Sequence, residues 1–321
     1  MRGNLLDVSN LRVVFHTYRG IIKALNGVEL WVNRGEKLGV VGESGCGKSV
    51  TSLSIMRLIE QPGEIIDGSI RFEDKEFTTM TQEELNRLRG REIAMIFQEP
   101  VAALNPVMKV GFQIAESISR LDKKKRKRQV YQEVREMLEL VGLDWQRTIS
   151  LYPHELSGGM AQRIMIAIAL SSNPKLLIAD EPTSALDVTI QIQILELLEK
   201  LVKKLEYAAI LITHDMGVAA EFCDNITVMY AGNTVEHSKT ENIFERPYHP
   251  YTRGLFKAVP KIGQIDELET IAGSVPDLVE PPPGCRFHPR CPHTTDRCRT
   301  QFPPLIEVDA GHYVACYLYG E

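Results

Sequence analysis

Two hydrophobic periods divide this chain. Alternating or continuous short apolar runs predict strands at Leu11 to Phe15, Val28 to Val32, Leu38 to Val41, Ser69 to Phe72, Ile93 to Phe97, Leu176 to Ala179 and Ala208 to Thr213. Two more, Ile226 to Tyr230 and Thr234 to His237, flank the turn Ala231-Gly232-Asn233. Helical stretches are predicted at Val50 to Leu58, Thr81 to Leu88, Val130 to Val141, Ile164 to Leu170 and Val188 to Lys204. Val130, Val134, Met137, Leu138 and Val141 form one apolar stripe. Glu99 to Pro106 carries two prolines and reads as a loop. Strands alternating with helices predict a layered α/β fold with a largely parallel sheet. From about Glu241 the character changes: His249-Pro250-Tyr251-Thr252 leads into a short helix, then a proline-rich tail.

Composition narrows the class. With 321 residues, 44% of them hydrophobic and 25% charged, the chain is long enough for a large core and an extension. A net charge of −5 gives no global reason to expect nucleic acid. No run of 18 apolar residues appears, and Met1 to Asp7 lacks a signal-peptide core, so a cytosolic location is expected. The six cations Lys123 to Arg128 stand at a helix start, where the dipole disfavours them. They read either as a solvated helix start or as a contact for anionic headgroups.

The most specific motif is Gly42-Glu43-Ser44-Gly45-Cys46-Gly47-Lys48-Ser49, between an apolar strand and the helix opening at Val50. Glycines let backbone N–H groups curl around phosphate oxygens, and the helix aims its positive end at the same anion. Lys48 suits the β- and γ-phosphates, and Ser49 suits Mg²⁺. Three further signals follow. Ser157-Gly158-Gly159 at a helix start pairs a hydroxyl with bare N–H groups. Asp180-Glu181 ends a buried strand with two carboxylates, one fit to support Mg²⁺ and one to activate water. Gln98 and His214 each stand at a strand's C-terminal end.

In chain order, the loop Gly42–Ser49, Gln98, Leu156 to Gly159, Asp180-Glu181, Ser184 to Asp187 and His214 resemble the nucleotide-binding subunit of an ABC transporter over roughly residues 5 to 240. The resemblance implies a P-loop NTPase of ABC type with an inserted helical subdomain at about 98–165, a cassette over 1–245, and a C-terminal extension over 246–321. It implies ATP and Mg²⁺ held by the loop from Gly42 through Val50 and by Asp180. Glu181 polarises the attacking water, Gln98 senses γ-phosphate and metal, and His214 touches the γ-phosphate. Ser157, Gly158 and Gly159 reach the nucleotide of an opposite subunit, and Tyr18 falls near the family's adenine-stacking aromatic. Met160 departs from the usual glutamine of that signature, while the phosphate-contacting Ser and glycines are intact.

Phe97-Gln98-Glu99-Pro100, Leu104-Asn105-Pro106-Val107 and His249 to Thr252 narrow the resemblance to the di- and oligopeptide importers, with nickel importers as close relatives. It implies a second ATPase subunit, two membrane permeases, an external binding protein and a place on the cytoplasmic face of the membrane. A nickel or other small-solute importer, and a soluble ABC ATPase with a redox-sensing cluster, are the alternatives. Cys285, Cys291, Cys298 and Cys316 lie in a loop-rich tail that needs a staple. By ligand count they suit a 4Fe–4S cluster or zinc, and unmetallated or disulfide-bonded cysteines remain open. The absence of C-x₂-C pairs favours the cluster, as does the resemblance of Arg286 to Pro292 to the peptide-importer tail. Cys46 and Cys223 read as packing residues.

Overall fold

The computed structural model describes residues 3–122, 124–184, 186–257 and 271–320. Lys123 of the basic run and Ala185 lie outside them. The strands are β1 (Leu6–Thr17), β2 (Gly20–Val32), β3 (Lys37–Val41), β4 (Gly63–Phe72), β5 (Lys75–Glu76), β6 (Ile93–Ile96) and β7 (Leu176–Asp180). There follow β8 (Ala208–Thr213), β9 (Asn225–Tyr230), β10 (Asn233–Lys239), β11 (Ile306–Asp309) and β12 (His312–Val314). The chain forms two compact units, Met1–Met80 with Leu211–Glu321, and Thr81–Ile210. No helix among the described residues is long and apolar enough to cross a membrane.

The first unit holds an antiparallel sheet of order β2-β1-β4-β5. This departs from the largely parallel expectation, and the reason is local. Only Tyr18 and Arg19 separate β1 from β2, and so short a link permits only a hairpin. In the same unit the order β11-β12-β10-β9-β3 combines one parallel pair, β3 with β9, and antiparallel neighbours. Strand β3 is buried along Leu38 to Val41 and delivers the chain into the glycine loop.

The C-terminal segment has more order than its prolines suggest. Strands β11 and β12 form a hairpin around Ala310-Gly311, and β12 pairs with β10 through Glu236↔Val314 and His237↔Tyr313. The hairpin thereby covers an otherwise open strand edge. The alternation Ile306, Val308 and the Ala-Gly turn were legible signals for it.

The second unit pairs β6 with β7 in parallel and carries most of the long helices. Its local rules match its sequence. Thr81 caps the helix Gln82–Leu88, and Glu84 returns a bond to the Thr81 N–H, a complete capping box. In the helix Lys127–Leu140, Val130, Val134 and Leu138 are buried as the stripe requires. Pro100 occupies the first turn of a short helix, Pro100–Ala103, inside the expected loop, a position where proline costs no hydrogen bond. The basic run is tolerated because Lys125 pairs with Glu133 at 2.6 Å and Gln129 accepts from the Arg126 N–H at 3.0 Å.

A buried polar joint fixes the C-terminal segment to β10. The Glu236 carboxylate is wholly buried and accepts from the N–H of Tyr248 at 2.7 Å and of His249 at 2.9 Å. It also meets His312 Nε2 at 2.7 Å. His249 is buried too, and its Nδ1 accepts from the Tyr251 N–H at 3.1 Å, which requires a neutral ring. Burial pushes its pKa down to about 4, against the pull of Glu236. Below about pH 6.5 the unfolded chain protonates this imidazole while the folded chain does not, so stability falls with pH from there toward pH 4. The expected slope for this one group is about 1.4 kcal/mol per pH unit. Urea unfolding at pH 7 and pH 5 checks it: His249→Asn, which keeps an acceptor for Tyr251, should lose less between the two than the parent does. Equal losses would remove His249 as the cause.

Candidate nucleotide-binding site

In the first unit, the segment Gly42 to Ser49 joins β3 to the helix Lys48–Ile55 as the motif predicts. Three of its glycines do different work. At Gly42, φ is +154° and an added Cβ would stand 2.2 Å from the Met229 carbonyl oxygen and 2.8 Å from Cys46 Sγ. At Gly47, φ is +102° and a Cβ would meet Leu25 at 2.7 Å. Gly45, with φ +79°, faces open space. The two outer glycines let the loop pack against backbone, and the middle one leaves a bare approach for a ligand.

Lys48 is buried, and its ammonium is held over the loop by the carbonyls of Gly42 at 2.8 Å and Glu43 at 3.2 Å. Thr51 Oγ1 donates to the Gly47 carbonyl at 2.9 Å. Ser49 and Val50 lie in the first turn of that helix, at the positive end of its dipole. Ser44 lies beside Gly45 in the loop. Cys46 is fully buried, and burial pushes its thiol up to about 11, so it is a packing residue and a poor nucleophile. Tyr18 is fully exposed at the tip of the β1–β2 hairpin. His214 is exposed just past β8, ahead of a helix that Asp215 caps through Gly217 and Val218.

Residues that the motifs did not single out hold the loop's near end. The Glu43 N–H donates to the Tyr251 hydroxyl at 2.9 Å across 208 residues of chain. The Glu43 carboxylate pairs with Arg290, 247 residues away. Tyr251 is fully buried in a ring cluster with Tyr230 at 4.6 Å and Phe287 at 5.5 Å. The sequence signals for this were the His249 to Thr252 stretch ahead of the short helix Pro250–Lys257 and the Arg286 to Pro292 stretch, which holds Phe287 and Arg290.

In the second unit, Asp180 ends β7 and is 4% exposed. Glu181 follows with φ +45°, a left-handed backbone that costs a non-glycine residue energy. The Gln98 amide approaches its carboxylate at 3.4 Å. Ser157 caps the helix Gly158–Leu170 by accepting from the Met160 N–H at 3.3 Å. Gly158 and Gly159 open that helix facing Leu186 and Ile190; a Cβ on Gly159 would lie 2.9 Å from Ile190.

Back in the first unit, Cys285, Cys291, Cys298 and Cys316 line one small cavity together with His249, His288 and His293. All six cysteines of the chain are free thiols. Burial, and then the neighbouring sulfurs, push Cys285 up to about 12; burial also raises Cys316, to about 11. Among the described residues no group of three or more His, Cys, Asp or Glu is arranged to hold a metal ion. A metal-binding role for the extension is therefore not carried by the geometry of its donors.

Comparison with known proteins gives the family. The ABC transporter family matches residues 25–184, and the C-terminal region of oligopeptide/dipeptide transporters matches residues 235–298. An oligopeptide transport ATP-binding protein, AppD of Bacillus subtilis, is 49% identical over 99% of this chain and 98% of its own length. OppD of Haemophilus influenzae is 46% identical over 99% and 98%. Among solved structures, the dimeric cassette MJ0796 in a post-hydrolysis state with ADP and phosphate is similar with a TM-score of 0.67 and 27% identity, over 73% of this chain and 98% of that one. The glycine loop, the paired carboxylates and the docked C-terminal segment thus sit on a known scaffold, and the chain belongs to the ATP-binding ABC ATPases of the oligopeptide/dipeptide transporter family.

Proposed function

We propose that this chain hydrolyses ATP to power an importer of di- or oligopeptides. The observation that carries the reading is the phosphate-shaped loop: a Gly45 backbone open on one side, closed on the other by Gly42 and Gly47, with the buried Lys48 ammonium above it. The names of its relatives supply the peptide class and the transport role.

Each residue's part follows from its chemistry. Backbone N–H groups from Ser44 to Val50 and the Lys48 ammonium bind phosphate oxygens. Ser49, Asp180 and Gln98 each carry an oxygen of the kind that would hold Mg²⁺, and the ion would supply charge neutralisation on the phosphates. Glu181 orients and deprotonates the attacking water, with its carboxylate steadied by the Gln98 amide. His214 donates to the γ-phosphate, and Tyr18 stacks on the base. Ser157, Gly158 and Gly159 present a capped helix start to the nucleotide of a second subunit, so two ATPase subunits sandwich two nucleotides. The cassette is 1–245 with its helical subdomain at about 98–165, and 246–321 is the extension. Two permeases and a binding protein complete the importer, with this chain at the cytoplasmic face of the membrane.

The four tail thiols are further proposed to hold a 4Fe–4S cluster. Four free sulfurs around one cavity supply the ligand count. Burial raises the Cys285 and Cys316 thiols, so loading these two releases protons.

Three outcomes are expected. Glu181→Gln should retain MgATP binding and lose ATP hydrolysis by at least a hundredfold in a phosphate-release assay; near-normal turnover would remove Glu181 from its role. Gly42→Ala should abolish nucleotide binding, because its Cβ has no space against Met229, and unchanged binding would contradict the loop geometry. Anaerobically purified protein should contain about four iron and four acid-labile sulfide per chain; one zinc without sulfide would replace the cluster by a structural zinc.

A further inference from the structure

An acidic residue inside an anion-binding loop is unexpected on electrostatic grounds. Glu43 is the second residue of the phosphate loop, and its main-chain carbonyl already contacts the Lys48 ammonium. An unpaired carboxylate there repels a triphosphate. The structure pairs it. Arg290 Nη1 donates to Glu43 Oε2 at 2.8 Å and Nη2 to Oε1 at 3.3 Å, a bidentate fork whose guanidinium side is 6% exposed.

Arg290 belongs to the extension and is fixed by it independently of Glu43. It donates to the carbonyls of Ala272 at 2.8 Å and Ile271 at 3.2 Å, and lies over the rings of Tyr230 and Phe287. The turn His288–Arg290 ends at Cys291, one of the four clustered thiols. The other side of the loop is tied to the same segment. Gly232 N–H donates to the Cys46 carbonyl at 2.8 Å, and the next carbonyl back, that of Ala231, accepts from Arg286.

We propose that Arg290 is a positioning residue for the phosphate-binding loop. It neutralises and aims the Glu43 carboxylate, so that the loop binds the nucleotide's phosphates more tightly when the C-terminal extension is docked. The extension thereby sets nucleotide affinity without touching the nucleotide. The inference rests on the reading that Gly42–Ser49 binds ATP.

Titration calorimetry of the full chain with MgADP tests it. Arg290→Ala should weaken binding about tenfold, leaving a bare carboxylate beside the phosphates. Adding Glu43→Gln to that variant should restore affinity to within about threefold of the parent, because the offending charge is gone. In turnover the Arg290→Ala loss should appear as a raised KM for ATP with kcat unchanged. Parent-like binding by Arg290→Ala overturns the inference. So does a double variant as weak as the single, which marks Arg290 as a structural tether. If Arg290→Ala does not fold, Arg290→Gln keeps donors for Ile271 and Ala272 without the charge and gives the same readout. A parent chain that binds no MgADP would instead fail the nucleotide reading itself.

Discussion

The site depends on one close backbone approach. Gly42 passes the Met229 carbonyl so tightly that a single added carbon would sit at 2.2 Å from it. That contact presses the phosphate loop onto the end of β9, and the turn that follows β9 then bonds back to the loop through Gly232 and Cys46. The loop's shape is consequently held by contacts within the protein itself. A loop held in this way loses less ordering entropy when it binds a ligand.

The second consequence is that the C-terminal segment is part of the loop's support. Glu236 anchors it to β10 by gathering two backbone N–H groups and His312 around a carboxylate that has no access to water. A buried charge of that kind is tolerated only when each oxygen is bonded. From this anchor the chain sends Tyr251 to the Glu43 N–H and, further on, Arg290 to the Glu43 carboxylate. The extension shares one compact unit with the loop it steadies.

Much of this was legible in the sequence where the physics is local. The strand–loop–helix around Lys48, the helix from Thr81 and the Val130 stripe each need only neighbouring residues, and each formed as the pattern predicts. The Ser157 cap likewise formed at the start of its helix. What escaped was non-local or hidden by composition. Nothing near Glu43 announces Tyr251 or Arg290, because both partners lie more than 200 residues away. The antiparallel pairing of β1 and β2 was missed because the strands were read shorter than they are, which hid the two-residue turn. Prolines around the cysteines masked the β11–β12 hairpin, whose alternation lies beyond them. Cysteine spacing led to the expectation of a metal or cluster site; the four thiols line one cavity, but their geometry among the described residues does not carry a metal.

On the proposal above, Gly42–Ser49 is a cradle for the phosphates of ATP that the fold itself holds in shape. Backbone hydrogen exchange of the full chain, read over that segment with and without saturating MgATP, is the decisive measurement. Slowed exchange is expected on adding nucleotide, concentrated at Gly45 and its neighbours, where the backbone is open. The Glu43 amide, already bonded to Tyr251, is expected to be slow in both states. Unchanged exchange across the loop at saturating MgATP would contradict the proposal.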